Sequence, residues 1–170
     1  MSNILTYSIA REFLEGYVGS EWFAMPAFSG GGRGRLGEGA EHSLSSYDVF
    51  RKEKNTNAGH THGGPIPPGI YLCEYVAHHP TLHACIHLTP TITSLFLIDA
   101  AGNVRFYNRD GLYIHGRGQH GSDACIVPEN PAERSRLNLA VKNAQSTVML
   151  RVIEPGMLLP AARETAIQIA

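Results

Sequence analysis

Short apolar segments separated by polar turns run along most of the chain. Hydrophobic and polar residues alternate over about four to eight positions, which is the pattern of half-buried strands, and Gly or Pro clusters separate these segments. Closely spaced strands of this kind predict a mainly β domain, an antiparallel β barrel or sandwich. We expect strands at 4–9, 13–24 (broken at a glycine into a second strand or a hairpin), 70–76, 82–89, 93–98, 104–107, 112–115, 125–127 and 147–153.

A helix is predicted where this pattern stops. Asn130 is a good cap, Pro131 stands at the first helical position, and Glu133 follows three residues after the cap, so a helix should run from there to about Lys142. Residues 43–52 and the tail 155–170 are candidates for shorter helices. The segment 64–69, Gly-Pro-Ile-Pro-Pro-Gly, excludes both a helix and a central strand.

Length, composition and charge narrow the class of protein. A chain of 170 residues fits one domain, and 43% hydrophobic against 17% charged residues excludes a disordered chain. Lys and Arg number 14 against 15 Asp and Glu, so no basic excess favours binding to nucleic acid. No apolar run approaches about 18 residues and the first residues lack a basic, then apolar, leader. We therefore expect no membrane span and no export by the general secretory route.

The chemically distinctive segment is 113–127. His115 ends one apolar strand, Cys125 opens the next, and a Gly-rich loop between them can fold back to bring the imidazole to the thiol. A thiol is nucleophilic as the thiolate, and an adjacent His supplies that state as ion pair or general base. The carbonyl of Gly116 can orient the imidazole, and backbone N–H groups at Asp123, Ala124 and Cys125 can face an oxyanion.

These residues resemble the active-site motif of the L,D-transpeptidase family. The run Tyr113-Ile114-His115-Gly116 and the run Gly121-Ser122-Asp123-Ala124-Cys125-Ile126-Val127 are similar to its His and Cys motifs, and closest to a divergent branch that includes antibacterial effectors of type VI secretion systems. Phe28-Ser29-Gly30 and the strand entry 64–71 also resemble that branch. The resemblance covers 1–154, the expected catalytic domain, and leaves 155–170 as a C-terminal tail. Asp123-Ala124 departs from the Glu-Gly or His-Gly that usually precedes the cysteine.

The resemblance implies a cysteine enzyme that acts on the stem peptides of peptidoglycan. Cys125 would be the nucleophile, attacking the carbonyl between the third residue, meso-diaminopimelate, and the fourth, D-Ala, and His115 would be the base and later the acid. Gly116 would orient His115. Substrate-binding and oxyanion roles would fall to a set of neighbouring residues: Ser29, Gly30, His120, Ser122, Asp123 and Ala124. No cofactor or metal is implied, and carboxypeptidase cleavage, D-amino-acid exchange and cross-linking all remain open.

The same resemblance implies a place of action and partners. We expect a protein made in the cytoplasm without a signal peptide, handled by components of a secretion apparatus and delivered to the periplasm of target bacteria. An immunity protein that blocks the cleft is then the expected protein partner.

Two other functions fit some of the residues. A zinc-dependent peptidoglycan hydrolase would draw ligands from a set of histidines and acids, His60, His62, His78, His79, His83, His87, Glu74 and Asp99, although no HExxH motif occurs and the segment around His83 and His87 is typical of a strand. A catalytically degenerate wall-binding module is favoured by Asp123-Ala124. Cys73 and Cys85, on expected neighbouring strands, are either a cross-strand disulfide or two reduced core thiols.

Overall fold

The computed structural model describes residues 2–30, 65–91, 96–98, 104–106, 111–116 and 124–153. Three of the candidate site residues, His120, Ser122 and Asp123, lie outside the described residues, as do the expected helices in 43–52 and 155–170 and the proposed domain boundary at 154. His115, Gly116, Ala124, Cys125, Ser29 and Gly30 lie within them.

The described chain forms ten strands and one helix. The strands are β1 (Ile4–Ser8), β2 (Phe13–Val18), β3 (Glu21–Ser29), β4 (Gly69–His79), β5 (His83–Pro90), β6 (Phe96–Ile98), β7 (Val104–Phe106), β8 (Leu112–Ile114), β9 (Ile126–Pro128) and β10 (Val148–Ile153). The helix, α1, spans Pro131–Asn143. The mainly β class expected from the alternating pattern is confirmed.

Eight of these strands close into a barrel in the order β1-β10-β4-β5-β8-β9-β3-β2, and β6 pairs with β7 in a separate two-stranded sheet. Most neighbours are antiparallel, but β1 pairs with β10 and β8 pairs with β9 in parallel. The barrel rather than the sandwich is therefore observed, with two parallel pairs that the sequence pattern did not predict.

The core of the barrel is built by the inward-facing half of each alternating strand. Leu5 and Tyr7 of β1, Leu14 of β2 and Ile86 of β5 are fully buried, as expected because successive strand residues point to opposite faces. Burial of such side chains contributes about 1.5–3 kcal/mol each relative to exposure. The sequence therefore specifies which face of each strand turns inward.

The helix α1 begins as its cap residues predict. The Asn130 side chain accepts hydrogen bonds from the backbone N–H groups of Ala132 (2.8 Å) and Glu133 (3.3 Å), and Pro131 is the first helical residue. Leu137 and Val141 are buried against the barrel. The helix thus follows β9 directly and lies on the barrel close to the strand that Cys125 precedes.

The register of β4 and β5 excludes the cross-strand disulfide. Cys73 lies opposite Leu88 and Cys85 lies opposite Val76, so the two cysteines are three positions out of register and face opposite sides of the sheet. Two cysteines can be bridged only when their Cα atoms lie within about 7 Å. Cys73 and Cys85 are accordingly both thiols, as the second alternative expected.

No helix within the described ranges is long and apolar enough to cross a membrane.

Candidate active site

His115 and Cys125 lie at the parallel junction between β8 and β9. Ile114 pairs with Ile126, and the N–H of His115 donates to the carbonyl of Ile126 at 3.1 Å, which extends the ladder by one residue. Both isoleucines are fully buried in the barrel. Because strand side chains alternate, His115 and Cys125 both point to the outer face of the barrel from neighbouring strands. The two residues therefore lie at the ends of adjacent strands.

The His115 ring is held in one orientation by the backbone of the next residue. Its Nδ1 lies 2.6 Å from the carbonyl oxygen of Gly116. A carbonyl only accepts, so Nδ1 carries the proton and Nε2 of the neutral ring keeps its lone pair. The ring therefore presents a proton acceptor, which is the state that a general base requires.

Several neighbours act on the pKa of His115. Burial lowers it, since only 8% of the residue is exposed. The hydrogen bond to Gly116 raises it, and the electrostatic effects of Arg134 and His79 lower it further. The net direction is downward from the ordinary value. His115 is therefore neutral and able to accept a proton at neutral pH.

Cys125 immediately precedes β9 and has 9% of its surface exposed. Its Sγ donates to the carbonyl of Gly111 at 3.8 Å, a long contact of the kind that thiols make.

The residue before the thiol is in an unusual backbone conformation. Ala124 has a φ of +82°, in the left-handed region that glycine adopts easily and alanine does not. Residues held there cost about 1–3 kcal/mol and need the surrounding structure to maintain them. The departure from glycine noted in the sequence therefore coincides with a strained turn that aims Cys125.

Ser29 provides part of that support. It is completely buried, its hydroxyl donates to the carbonyl of Ala124 at 2.8 Å, and it accepts from the N–H of Ile66 at 2.8 Å. The hydroxyl thus joins the end of β3, the residue before Cys125 and the Pro-rich entry to β4. The substrate-binding role expected for Ser29 finds no support in this geometry, because its hydroxyl is enclosed and used by backbone groups. Gly30, next to it, is also buried, with φ +82°.

Two residues that the resemblance to L,D-transpeptidases did not mark lie near His115. Arg134 of α1 packs its guanidinium against Gly116, where an added Cβ would lie 2.8 Å from Arg134 Cζ. His79, at the end of β4, packs edge-on against Tyr113 with ring centroids 4.9 Å apart. Arg134 has no local signal in the sequence, since it reaches the site only through the docking of α1 onto the barrel.

The histidines of the zinc hypothesis form no metal-binding group within the described residues, although His79 pairs with His83 across β4 and β5. No group of three or more His, Cys, Asp or Glu there is placed to hold a metal ion. His83 and His87 lie on β5, a strand, and His87 packs against Tyr113 at 5.0 Å between ring centroids. His60, His62 and Asp99 lie outside the described residues.

Comparison with known proteins adds no relative. No family model matches the chain, and no curated protein matches it. The chemistry of the Cys125–His115 junction is therefore inferred from its geometry and from the motifs that surround it.

Proposed function

We propose that the protein is a cysteine acyltransferase that acts on peptidoglycan stem tetrapeptides, as an L,D-carboxypeptidase or an L,D-transpeptidase. The observation that carries the proposal is the 2.6 Å contact between His115 Nδ1 and the Gly116 carbonyl, on the strand next to Cys125. It leaves Nε2 as the proton acceptor on the face from which the thiol projects. The resemblance of residues 113–127 and 64–71 to L,D-transpeptidases supplies the substrate class.

The proposed reaction has two acyl-transfer steps. His115 Nε2 takes the Cys125 proton, and the thiolate attacks the carbonyl between the third residue and D-Ala. The C–N bond breaks, His115 returns the proton to the leaving amine of D-Ala, and a thioester remains on Cys125. Water then gives the tripeptide acid, whereas an amine gives an exchanged or cross-linked stem, and in both cases His115 again transfers the proton.

Mass spectrometry of muropeptides incubated with the purified protein tests the proposal. The wild-type protein should convert tetrapeptide stems to tripeptides, or to exchanged stems when a D-amino acid is added. Cys125→Ala should lose this activity by orders of magnitude while keeping its fold, and His115→Ala should be nearly as inactive because base and nucleophile act as a unit. His120→Ala, in the loop, should retain about a tenth of the activity or more.

Three outcomes would contradict the proposal. Turnover that survives Cys125→Ala but is abolished by a chelator would identify the zinc hydrolase instead. If His120→Ala is inactive and His115→Ala is active, the catalytic histidine is His120, five positions later than proposed. Binding to purified cell-wall sacculi without any product would favour a wall-binding module, which the strained Ala124 next to Cys125 makes the second candidate.

We also propose that the protein is an antibacterial type VI secretion effector with a cognate immunity protein. The support is the likeness of residues 113–127 to that branch, and the test is independent of the chemistry. Expression with a periplasmic leader should arrest bacterial growth, while cytoplasmic expression and the exported Cys125→Ala variant should not. Equal growth in all three cases would refute this role.

A further inference from the structure

We propose that Arg134 binds a free carboxylate on the leaving residue of the substrate, so that the enzyme removes or replaces a carboxyl-terminal residue. This inference rests on the proposed acyl transfer by Cys125 and His115 and deepens it. It assigns to α1 a specificity-determining residue for which the motifs around Cys125 give no indication.

The guanidinium of Arg134 is positioned against the site. A Cβ placed on Gly116 would lie 2.8, 2.9 and 3.0 Å from Cζ, Nη1 and Nη2 of Arg134, so the flat face of the side chain lies over this glycine. Gly116 is also the residue whose carbonyl holds the His115 ring. The absence of a side chain at position 116 therefore lets a cation approach the catalytic histidine.

Within the described ranges, no ion pair joins Arg134 to an acid. The ion pairs recorded among the described residues join Arg11 with Glu15 and Arg136 with Glu133, so the neighbouring acid of α1 is turned toward a different arginine. Arg134 also lies in the first turn of α1, where the helix dipole disfavours a cation by about 0.3–1 kcal/mol. A cation at a helix N-terminus is locally unfavourable, and residues of this kind often have a functional role when they lie beside a candidate site.

The order of the reaction decides which side of the substrate Arg134 faces. His115 must deliver its proton to the leaving amine, so the leaving residue lies against His115. Arg134 packs on Gly116, the next residue, so its guanidinium lies near the histidine that the leaving residue must meet. In a carboxyl-terminal amino acid the carboxylate is two bonds from that amine, and a planar guanidinium suits it because it can donate two parallel hydrogen bonds.

A pair of alkylating reagents tests the charge recognition without any substrate. Iodoacetate and iodoacetamide differ in whether they carry a carboxylate, and the rate of each with Cys125 can be followed by mass spectrometry of the peptide containing it. The ratio of the iodoacetate rate to the iodoacetamide rate should fall about five- to fifteenfold in Arg134→Gln. This range corresponds to an interaction stronger than an exposed ion pair and weaker than the strongest charge-assisted hydrogen bonds.

Lys142→Gln is the matched control because it removes one positive charge from the same helix about 12 Å along the axis. Its rate ratio should equal that of the wild-type protein. Dividing by the iodoacetamide rate of each protein removes any general change in Cys125 reactivity that follows from the loss of a charge near His115. A ratio unchanged by Arg134→Gln, or lowered equally by Lys142→Gln, would overturn the proposal.

Turnover of paired stem peptides then separates this inference from the proposed function. The wild-type enzyme should prefer a tetrapeptide with a free terminal carboxylate over its amide, and Arg134→Gln should remove the preference mainly through KM. Arg134→Lys should restore part of it. Equal cleavage of acid and amide by the wild-type enzyme would refute the role of Arg134 alone. Cleavage of neither would refute the proposed function, while the alkylation ratio still decides whether Arg134 recognises an anion.

Discussion

Replacing Ser29 by alanine tests whether one hydroxyl holds the residue before Cys125 in place. The Ser29 oxygen makes two hydrogen bonds of 2.8 Å, to the carbonyl of Ala124 and from the N–H of Ile66. All three residues are fully buried, so neither backbone group can turn to bulk water when the oxygen is removed. Each buried group left without a partner costs about 1–3 kcal/mol.

We therefore expect Ser29→Ala to lower the free energy of unfolding by about 2–6 kcal/mol, since two backbone groups lose their partner. For a domain of this size, 1 kcal/mol corresponds to about 2–4 °C, so the midpoint of thermal unfolding should fall by about 4–24 °C. Urea titration followed by circular dichroism gives the free energy directly, and an unchanged dependence on urea concentration would show that the folded and unfolded states are otherwise the same.

Ser8→Ala is the matched control. Ser8 also ends a strand and is 7% exposed, but its hydroxyl accepts one bond, from the N–H of Arg11 at 3.2 Å. Its loss should cost about 0.5–1.5 kcal/mol. If Ser29→Ala is no more destabilising than Ser8→Ala, the Ser29 hydroxyl does not hold Ala124 in place before Cys125.

Three further predictions concern the barrel and the thiols. Gly16→Ala should lower the free energy of unfolding by about 3 kcal/mol or more, because φ is +143° and the new Cβ would lie 2.2 Å from a carbonyl oxygen of β1. Gly19→Ala, at φ +65° in open space, should lower it by about 1 kcal/mol, and equal urea midpoints for the two variants would refute this. Burial lowers the pKa of His115 in the folded protein below its ordinary value of 6.5, so between the folded and the unfolded pKa the unfolded chain binds more protons. The free energy of unfolding should therefore fall as the pH drops through that window, and His115→Gln should flatten this dependence in urea titrations at pH 7.5 and 5. An identical pH dependence in both proteins would contradict this. Iodoacetamide at pH 6.5 should label Cys125 at least tenfold faster than Cys73, because burial raises the pKa of Cys73 to about 12; mass spectrometry of the labelled peptides would show the reverse order if the Cys125 thiol is inert.

The elements that the sequence predicted are those with local causes. The helix α1 starts at Pro131 because Asn130 caps two backbone N–H groups, and both residues can be read directly from the chain. The strands follow from alternation, which places Leu5 and Tyr7 on the buried face of β1. The hairpin of β2 and β3 likewise follows from the break between two alternating runs.

The parts that could not be predicted depend on contacts between distant segments. The parallel pairing of β8 with β9, the packing of Arg134 on Gly116 and the enclosure of Ser29 all require the barrel to be closed first. The hydrophobic periodicity of a strand shows which of its faces is apolar, but it does not show which other strand pairs with it. For this reason the sequence indicated His115, Gly116 and Cys125 and missed the arginine beside them.

The position of β10 has a consequence for how the chain acquires its structure. This strand lies between β1 and β4, and it is synthesised after every other element that the structure describes. A nascent chain that has not yet reached residue 148 therefore leaves one edge of β1 and one edge of β4 without a partner. Such edges recruit other strands, and pairings across long stretches of chain form slowly. The barrel can close only after β10 has been translated, and until then the free edges of β1 and β4 are the places where wrong strand pairing can begin.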